Sequence, residues 1–350
     1  MAGRAMVTTA RPGLLLLCLS QAIGARFVLW NDFWLQECNA TATDLLGKWG
    51  IDANAGNAQN GRVVTILGGG SVAGQHKRGP FMDWPTIDGK TGAARGGSLP
   101  QRANRSAAMA SIRQGFDELP PEFSGALQFD FEKWDPLWEY TPAQYRNASI
   151  RWVKERKPGL GPDAALALAR TEWESAAKEW LLAPLLEARR RFPKAKVGYY
   201  NYPKCANGMK CEQFPEGTNA TAANDRLAWL WEASTALFPT VYYDFVWHSG
   251  PHPIVAEAVR VAQSATHPVA VVPVWWYYGC GSYSRFCPKE NVDSQLSAVA
   301  AAGADGLAIW GGSWNTSQAG CASIESYIAT VLGPAARQFI GRGSRRVKSD

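Results

Sequence analysis

The sequence predicts a single α/β unit, a parallel barrel of seven strand-then-helix steps. Three observations predict it. Short apolar runs rich in β-branched and aromatic residues recur seven times, helical patterns fall between them, and no change of composition divides the chain. The apolar runs are 27–30, 63–67, 125–131, 196–200, 240–245, 269–277 and 306–310. Helical spacing is expected over 106–118, 163–192 (interrupted at Pro184), 223–236, 254–265, 291–302 and 321–332. Glu174 and Lys178 add an i,i+4 ion pair to the longest of these. The 350 residues suffice for one large barrel.

The N-terminus reads as a secretory signal. Arg4 and Arg11 precede the apolar run 14–19, and the small residues Ala22, Gly24 and Ala25 follow, so residues 1–25 are expected to be removed. The barrel then occupies 26–340, and the basic, glycine-containing 341–350 reads as a disordered tail. No stretch approaches the roughly 20 apolar residues of a membrane span. The net charge of +6 becomes +4 once Arg4 and Arg11 are lost, a mild basicity compatible with an anionic partner.

Cysteine usage agrees with secretion, extracellular or into a lysosomal lumen. Cys18 lies in the signal, and Cys38, Cys205, Cys211, Cys280, Cys287 and Cys321 remain, an even set that suggests disulfides. Spacing offers the local pairs Cys205–Cys211 and Cys280–Cys287 and leaves Cys38 with Cys321, although spacing alone does not select one connectivity. Neither local pair has CxxC spacing, and His76, His248, His252 and His267 form no ligand cluster, so no metal or cofactor is expected. Five Asn-X-Ser/Thr sequons, at Asn39, Asn104, Asn147, Asn219 and Asn315, are candidate glycosylation sites in a secreted chain.

The chemistry gathers at the C-terminal ends of the expected strands, where parallel barrels place their sites. Asp130 and Glu132 stand two apart at the end of the third strand, and alternation puts both carboxyls on one face. Two acids side by side in an apolar strand are costly unless proton transfer requires them. Tyr200 and Tyr202 end the fourth strand, Tyr242 and Asp244 the fifth, Trp275 and its neighbours the sixth, and Trp310 the seventh. Each aromatic alone is compatible with core packing; the set on one rim suits sugar rings. Acids on one strand face cannot flank a sugar from opposite sides, so one is expected to donate the proton while the substrate's acetamide supplies the nucleophile. Glu132 is expected to hold the proton beside an ionised Asp130, with Phe129 and Trp134 as apolar neighbours.

These residues resemble the animal and venom hyaluronidases. The family strand I-D-[FW]-E-x-W-R-P is matched by Phe129-Asp130-Phe131-Glu132-Lys133-Trp134-Asp135-Pro136. W-G-Y-Y-x-[FY]-P-x-C is matched by Val197-Gly198-Tyr199-Tyr200-Asn201-Tyr202-Pro203-Lys204-Cys205, and P-S-[VI]-Y by Pro239-Thr240-Val241-Tyr242. G-A-D-G-x-x-[IL]-W-G-S is matched by Gly303-Ala304-Asp305-Gly306-Leu307-Ala308-Ile309-Trp310-Gly311-Gly312, and the upstream G-G-[IV]-P-Q by Gly96-Gly97-Ser98-Leu99-Pro100-Gln101 with one residue inserted. The matches run in family order over about 27–335.

The resemblance implies a TIM-like (β/α)7 barrel and endo-cleavage of a glycosaminoglycan, hyaluronan or chondroitin, at an N-acetylhexosamine. It implies Glu132 as general acid and then base, and Asp130, Tyr200 and Tyr242 as holders of the acetamide. Trp310 would shape the pocket, with Tyr202 and Trp275 as further substrate contacts. It also implies the Cys38–Cys321 and Cys205–Cys211 bridges, with Cys280–Cys287 an addition. The expected partner is the polysaccharide, with neither nucleic acid nor a membrane span. Three departures stand out: Asp135 where the family has Arg, Leu67-Gly68 where it often has Y-D, and Asp244 near Tyr242. Asp135 and Asp244 predict an acidic rim unfavourable to a polyanion, with Arg95, Lys133 or the cluster 189–191 as compensating cations. Two other readings remain at this point. One is a chitinase-like hydrolase of a neutral polymer, against which Gly125, Ala126 and Gln128 replace parts of D-G-x-D-x-D-x-E. The other is a non-catalytic glycan-binding barrel.

Overall fold

The computed structural model describes residues 25–32, 38, 41–58, 60–68, 84–211, 214–215, 217–242, 252–278, 280, 286–311 and 318–342. The expected signal, most of the expected tail, Asn39, Asp244 and Asn315 lie outside them. In chain order the strands are β1 (Phe27–Asn31), β2 (Ile51–Ala53), β3 (Val64–Gly68), β4 (Thr86–Ile87), β5 (Ala94–Arg95), β6 (Ala126–Asp130), β7 (Lys196–Tyr199), β8 (Ala236–Leu237), β9 (Ala270–Val271), β10 (Val274–Trp276) and β11 (Gly306–Trp310). The helices are α1 (Thr41–Lys48), α2 (Arg105–Asp117), α3 (Ala143–Arg156), α4 (Pro162–Arg191), α5 (Ala220–Asp225), α6 (Ala228–Ala233), α7 (Pro253–Gln263), α8 (Lys289–Ala301), α9 (Gln318–Tyr327) and α10 (Gly333–Gly341).

The large strands are all parallel. β3 pairs with β6 and β6 with β7; bridges at Tyr200–Phe238 and Thr240–Val274 carry the ring through β8 to β10, and β10–β11–β1 continues it. This is the expected barrel. Its seven staves are β1, β3, β6, β7, β8, the broken β9–β10 and β11. Of the expected fifth strand 240–245, residues 243–245 lie outside the described residues; Thr240 bridges Val274, and regular pairing falls just before it, on Ala236–Leu237 against Ala270–Val271. Pro239 and Pro273 have no N–H to give a ladder, so each interrupts the regular strand at its own position. Both prolines still accept through their carbonyls, from Val274 and Ala308.

Two apolar layers follow from the alternation of strand side chains. Leu29, Val64, Ala126, Ala236, Phe238, Val272, Val274 and Ala308 fill the inside of the ring. The alternate residues pack outward on the helices, as Leu127, Phe129, Val197, Tyr199, Leu307 and Ile309 do. Gly198 stands where a Cβ would lie 2.0 Å from the Ala236 carbonyl, so only glycine lets β7 approach β8 so closely. Beside β1, the buried Asn54 replaces a ladder with its amide. Its oxygen accepts from Val63 (2.9 Å) and Val64 (3.1 Å), and its nitrogen donates to the Val64 carbonyl (2.6 Å).

Helix α4 runs unbroken through Pro184, contrary to the expected interruption. Proline removes one hydrogen bond, but Trp180, Leu181, Leu185 and Ala188 are buried on both sides of it and hold the helix to the barrel. Glu174 does not use Lys178. It lies 2.8 Å from Arg226 and accepts the Trp138 N–H, while Lys178 sits over the Trp229 ring. All three expected disulfides form, Cys38–Cys321, Cys205–Cys211 and Cys280–Cys287, the first joining segments 283 residues apart.

Candidate active site

β6 delivers the acid pair. Gly68 of β3 lies in register beside Asp130, and Tyr199 of β7 beside Phe129, so the strand end is fixed from both sides. Phe129 is fully buried against Phe116 and Tyr199, and Phe131 stacks on Trp84 at 4.3 Å; both point to the helix layer. Asp130 and Glu132 therefore take the other face, as the spacing predicts. Asp130 is half-buried and Glu132 exposed.

Burial pushes the Asp130 carboxyl up to about 7, the Glu132 carboxylate adds to the rise, and Lys133 opposes it. The inner carboxyl loses its water, whereas the outer one keeps contact with solvent. Phe129 and Trp134, expected as apolar neighbours of Glu132, face the helix layer instead: Trp134 is buried and donates its indole N–H to the Pro85 carbonyl at 2.9 Å.

Aromatic rings line the mouth next to the pair. Tyr200 and Tyr242 lie 6.4 Å apart and share a hydrogen bond, and both feel the charges of Asp130 and Glu132. Burial raises both phenols, Tyr200 to about 12, so they stay protonated and can donate. Trp310 stacks on Tyr242 at 5.9 Å with an interplanar angle of 27°. Trp276 completes the wall, 5.4 Å from Trp310 and 6.0 Å from Tyr242.

The structure thus brings together Asp130, Glu132, Tyr200, Tyr242 and Trp310, and leaves two candidates outside. Trp275 is buried in the helix layer, where its indole N–H donates to Gln295 at 2.5 Å. Its neighbour Trp276 enters the mouth, one residue along and on the opposite face. Tyr202 is buried between Tyr199 and Trp231, after a turn in which Asn201 takes a φ of 60°. The sequence groups Trp275–Tyr278 at this strand end and singles out Trp275 instead of Trp276, because Val271 to Tyr278 is apolar or aromatic on both faces; the parity of Val272 and Val274, both inside the ring, is the signal that separates the two.

The Asp135 part of the expected acidic rim is corrected, while Asp244 lies outside the described residues. Asp135 is 1% exposed, and its carboxylate lies 3.3 Å from the Lys204 ammonium, itself buried. Of the expected compensating cations, Lys133 acts on Asp130. Arg189, Arg190 and Arg191 are tied to the Glu232 carbonyl, Glu187 and Asp117 at the far end of α4. A third carboxyl near the strand ends, Asp32, is 1% exposed and accepts the Tyr277 O–H. Among the sequons, Asn104 and Asn219 are exposed helix N-caps, and Asn147 is exposed on α3, although its partner Ser149 is buried.

Comparison with known proteins agrees with this geometry. Residues 28–339 match the family model described as hyaluronidase. Hyaluronidase-1 of Bos taurus is 33% identical over 258 residues, 68% of this chain and 56% of that protein. Hyaluronidase-1 of Homo sapiens is 32% identical over 321 residues, 87% of this chain and 71% of that protein. The chain therefore spans a little over half of the bovine relative and about seven-tenths of the human one. The crystal structure of bee venom hyaluronidase in complex with hyaluronic acid tetramer superposes with a TM-score of 0.76 at 25% identity, over 90% of this chain and 99% of that one. With the barrel, the acid pair and the aromatic wall in place, the chain belongs to the hyaluronidase family of glycoside hydrolases.

Proposed function

We propose that this protein is a secreted, retaining endo-glycosidase that cleaves N-acetylhexosaminide bonds of a glycosaminoglycan, with hyaluronan as the first substrate to test and chondroitin the second. The observation that carries the reading is the asymmetric carboxyl pair: Asp130 half-buried and raised to about 7, Glu132 beside it in contact with solvent. Opposite-side carboxylates roughly 5.5 Å apart would indicate an enzymic nucleophile. Here two acids share one strand face, and the described residues stacked beside them are Tyr242, Trp276 and Trp310. The acetamide oxygen is then the attacking atom.

The steps follow from the positions. The acetamide N–H donates to Asp130, which favours its ionised form and leaves the proton of the pair on Glu132. Glu132 passes that proton to the glycosidic oxygen as the C1–O bond breaks and the acetamide oxygen bonds to C1. Asp130 stabilises the positive charge of the oxazolinium, and the O–H groups of Tyr200 and Tyr242 supply donors beside it. Water then adds to C1, gives its proton to Glu132, and restores the acetamide with retention.

The hyaluronic acid tetramer in the bee venom structure supports a uronate-containing polymer, and the burial of Asp135 removes one source of repulsion toward it. Secretion rests on the N-terminal signal pattern, three disulfides and exposed sequons. Among the described residues no helix is long and apolar enough to cross a membrane. The test is reducing-end release from hyaluronan, chondroitin and chitin oligomers, with Glu132→Gln as control. Cleavage of hyaluronan or chondroitin that Glu132→Gln abolishes is expected. Cleavage of chitin alone moves the protein to the neutral-polymer reading, and binding without cleavage makes it a lectin-like barrel.

A further inference from the structure

We propose that the buried Asp135–Lys204 ion pair is a positioning device that holds the Glu132 segment against the Tyr200 segment. The proposal rests on the reading of Glu132 as the acid given above.

The two residues come from different loops at the mouth of the barrel. Asp135 lies three residues after Glu132, beyond the end of β6, and Lys204 lies four after Tyr200, beyond the end of β7. Glu132 is exposed and beyond its strand, so the ladder of β6 does not fix it. The next turn anchors the segment. The Asp135 carboxylate accepts the Leu137 N–H at 2.9 Å, its carbonyl accepts from Thr141 Oγ1 (2.5 Å) and Trp173 Nε1 (3.1 Å), and its other oxygen faces Lys204 Nζ at 3.3 Å. That second oxygen has no hydrogen-bond partner, and the ammonium compensates it.

Lys204 is anchored in turn. Its ammonium sits over the Tyr202 ring at 4.7 Å, and the adjacent Cys205 is bridged to Cys211 and accepts from Asn224 through its carbonyl at 3.0 Å. The pair is therefore a strut between two anchored turns, one following the acid and the other following the tyrosine that faces it.

Solvent exposure of 1% and 5% makes the pair costly to desolvate, so stability alone does not account for it. An uncharged pair of similar shape holds a fold as well, so the role assigned to the charges here is to set the spacing of the two loops. In the family motif this position after Trp134 carries Arg, so the chain has kept a charge here while reversing its sign. Reversal is tolerated by an internal strut that carries its own counter-ion; it is not tolerated by a cation that must meet the substrate.

The experiment compares the neutral double variant Asp135→Asn/Lys204→Met, which keeps the Leu137 cap, with the exchanged pair Asp135→Lys/Lys204→Asp. The neutral variant is expected to melt within a few degrees of the wild type. Its kcat on the cleaved polymer is expected to fall roughly 10- to 100-fold with KM within about twofold, the signature of a displaced acid. The exchanged pair is expected to recover most of kcat. A second readout does not need turnover. Carbon-13 titration of the Asp130 carboxyl, assigned with Asp130→Asn, is expected to move down when the Glu132 carboxylate is released from its side. Unchanged kcat and an unchanged Asp130 titration in the folded neutral variant overturn the proposal, as does a folded exchanged pair without recovery. If the wild type cleaves none of the polymers, the functional reading fails, and the Asp130 titration still decides whether the strut positions Glu132.

Discussion

Two layers meet back to back along β6, and they are governed by opposite rules. On the outer side, Phe129, Phe131 and Trp134 join Trp84, Trp173 and Tyr199 in an aromatic cluster whose rings sit 4.3–6.3 Å from their neighbours. The indoles of Trp134 and Trp173 have carbonyl partners, and the buried Trp84 indole is held by ring contacts alone. On the inner side, Asp130 loses solvent beside a second carboxylate and is pushed up to about 7. The residues of one strand thus alternate between stabilising the fold and straining it for chemistry. The comparison teaches that the site is a local cost carried by the layer behind it.

Removing the acid breaks the comparison most sharply. Glu132→Gln is expected to lower kcat by about 10³-fold while leaving Tm near the wild-type value, since the side chain is exposed. A matched loss of Tm would place Glu132 in the fold rather than in the reaction. On the outer side the reverse holds. Trp134→Ala is expected to cost about 3–5 kcal/mol of stability by denaturant titration, because it empties a fully packed site.

Asp130→Asn divides the two currencies within one residue. Turnover is expected to fall by about 10²-fold or more, with oligosaccharide binding retained. Stability is expected to move the other way. The folded-state value of about 7 lies above the ordinary carboxyl value of 3.8, so between these values the folded protein holds a proton that the unfolded chain releases. The wild type therefore loses stability as pH rises from 4 to 7, by up to about 4 kcal/mol for a shift of this size. The Asn variant escapes that loss. Its Tm advantage is expected at pH 8 and should vanish near pH 4; an advantage independent of pH would mean that the Asp130 carboxyl is not the source.

A smaller effect separates the two tryptophans of β10. Trp276→Ala is expected to raise KM several-fold by removing part of the sugar platform. Trp275→Ala is expected to act mainly on Tm through the lost Gln295 contact and the emptied helix layer. Equal KM effects would erase the assignment of the two faces. At the low end, Arg62→Ala breaks a surface pair with Glu122 whose side chains are 71% and 66% exposed, and no measurable change in either quantity is expected.

Much of this was legible in the chain. Asp130 and Glu132 were recognisable because two acids at a spacing of two in an apolar strand have few structural uses, and Tyr200, Tyr242 and Trp310 because they end neighbouring strands. The choice of Trp276 over Trp275 was not, since 271–278 offers apolar residues on both faces and the register is interrupted by Pro273. Asp135 was misread as a rim charge because its compensating cation, Lys204, is distant in sequence and reaches it only when two loops meet. In the fifth stave the pairing of Ala236–Leu237 ahead of Pro239 was not legible, because those two residues pair only with Ala270–Val271, brought beside them by folding.

The sequence by itself determined the alternation that gives β6 an acid face and an aromatic face, the seven apolar staves and the cysteines available for bridging. Those properties are local, fixed by a side-chain period of two and by residue chemistry. Only the tertiary structure decided which face of each strand looks inward, which carboxyl loses its water, and which buried charge finds a partner. Desolvation and ion pairing depend on what surrounds a group in space, and that depends on residues brought close by folding from far along the chain.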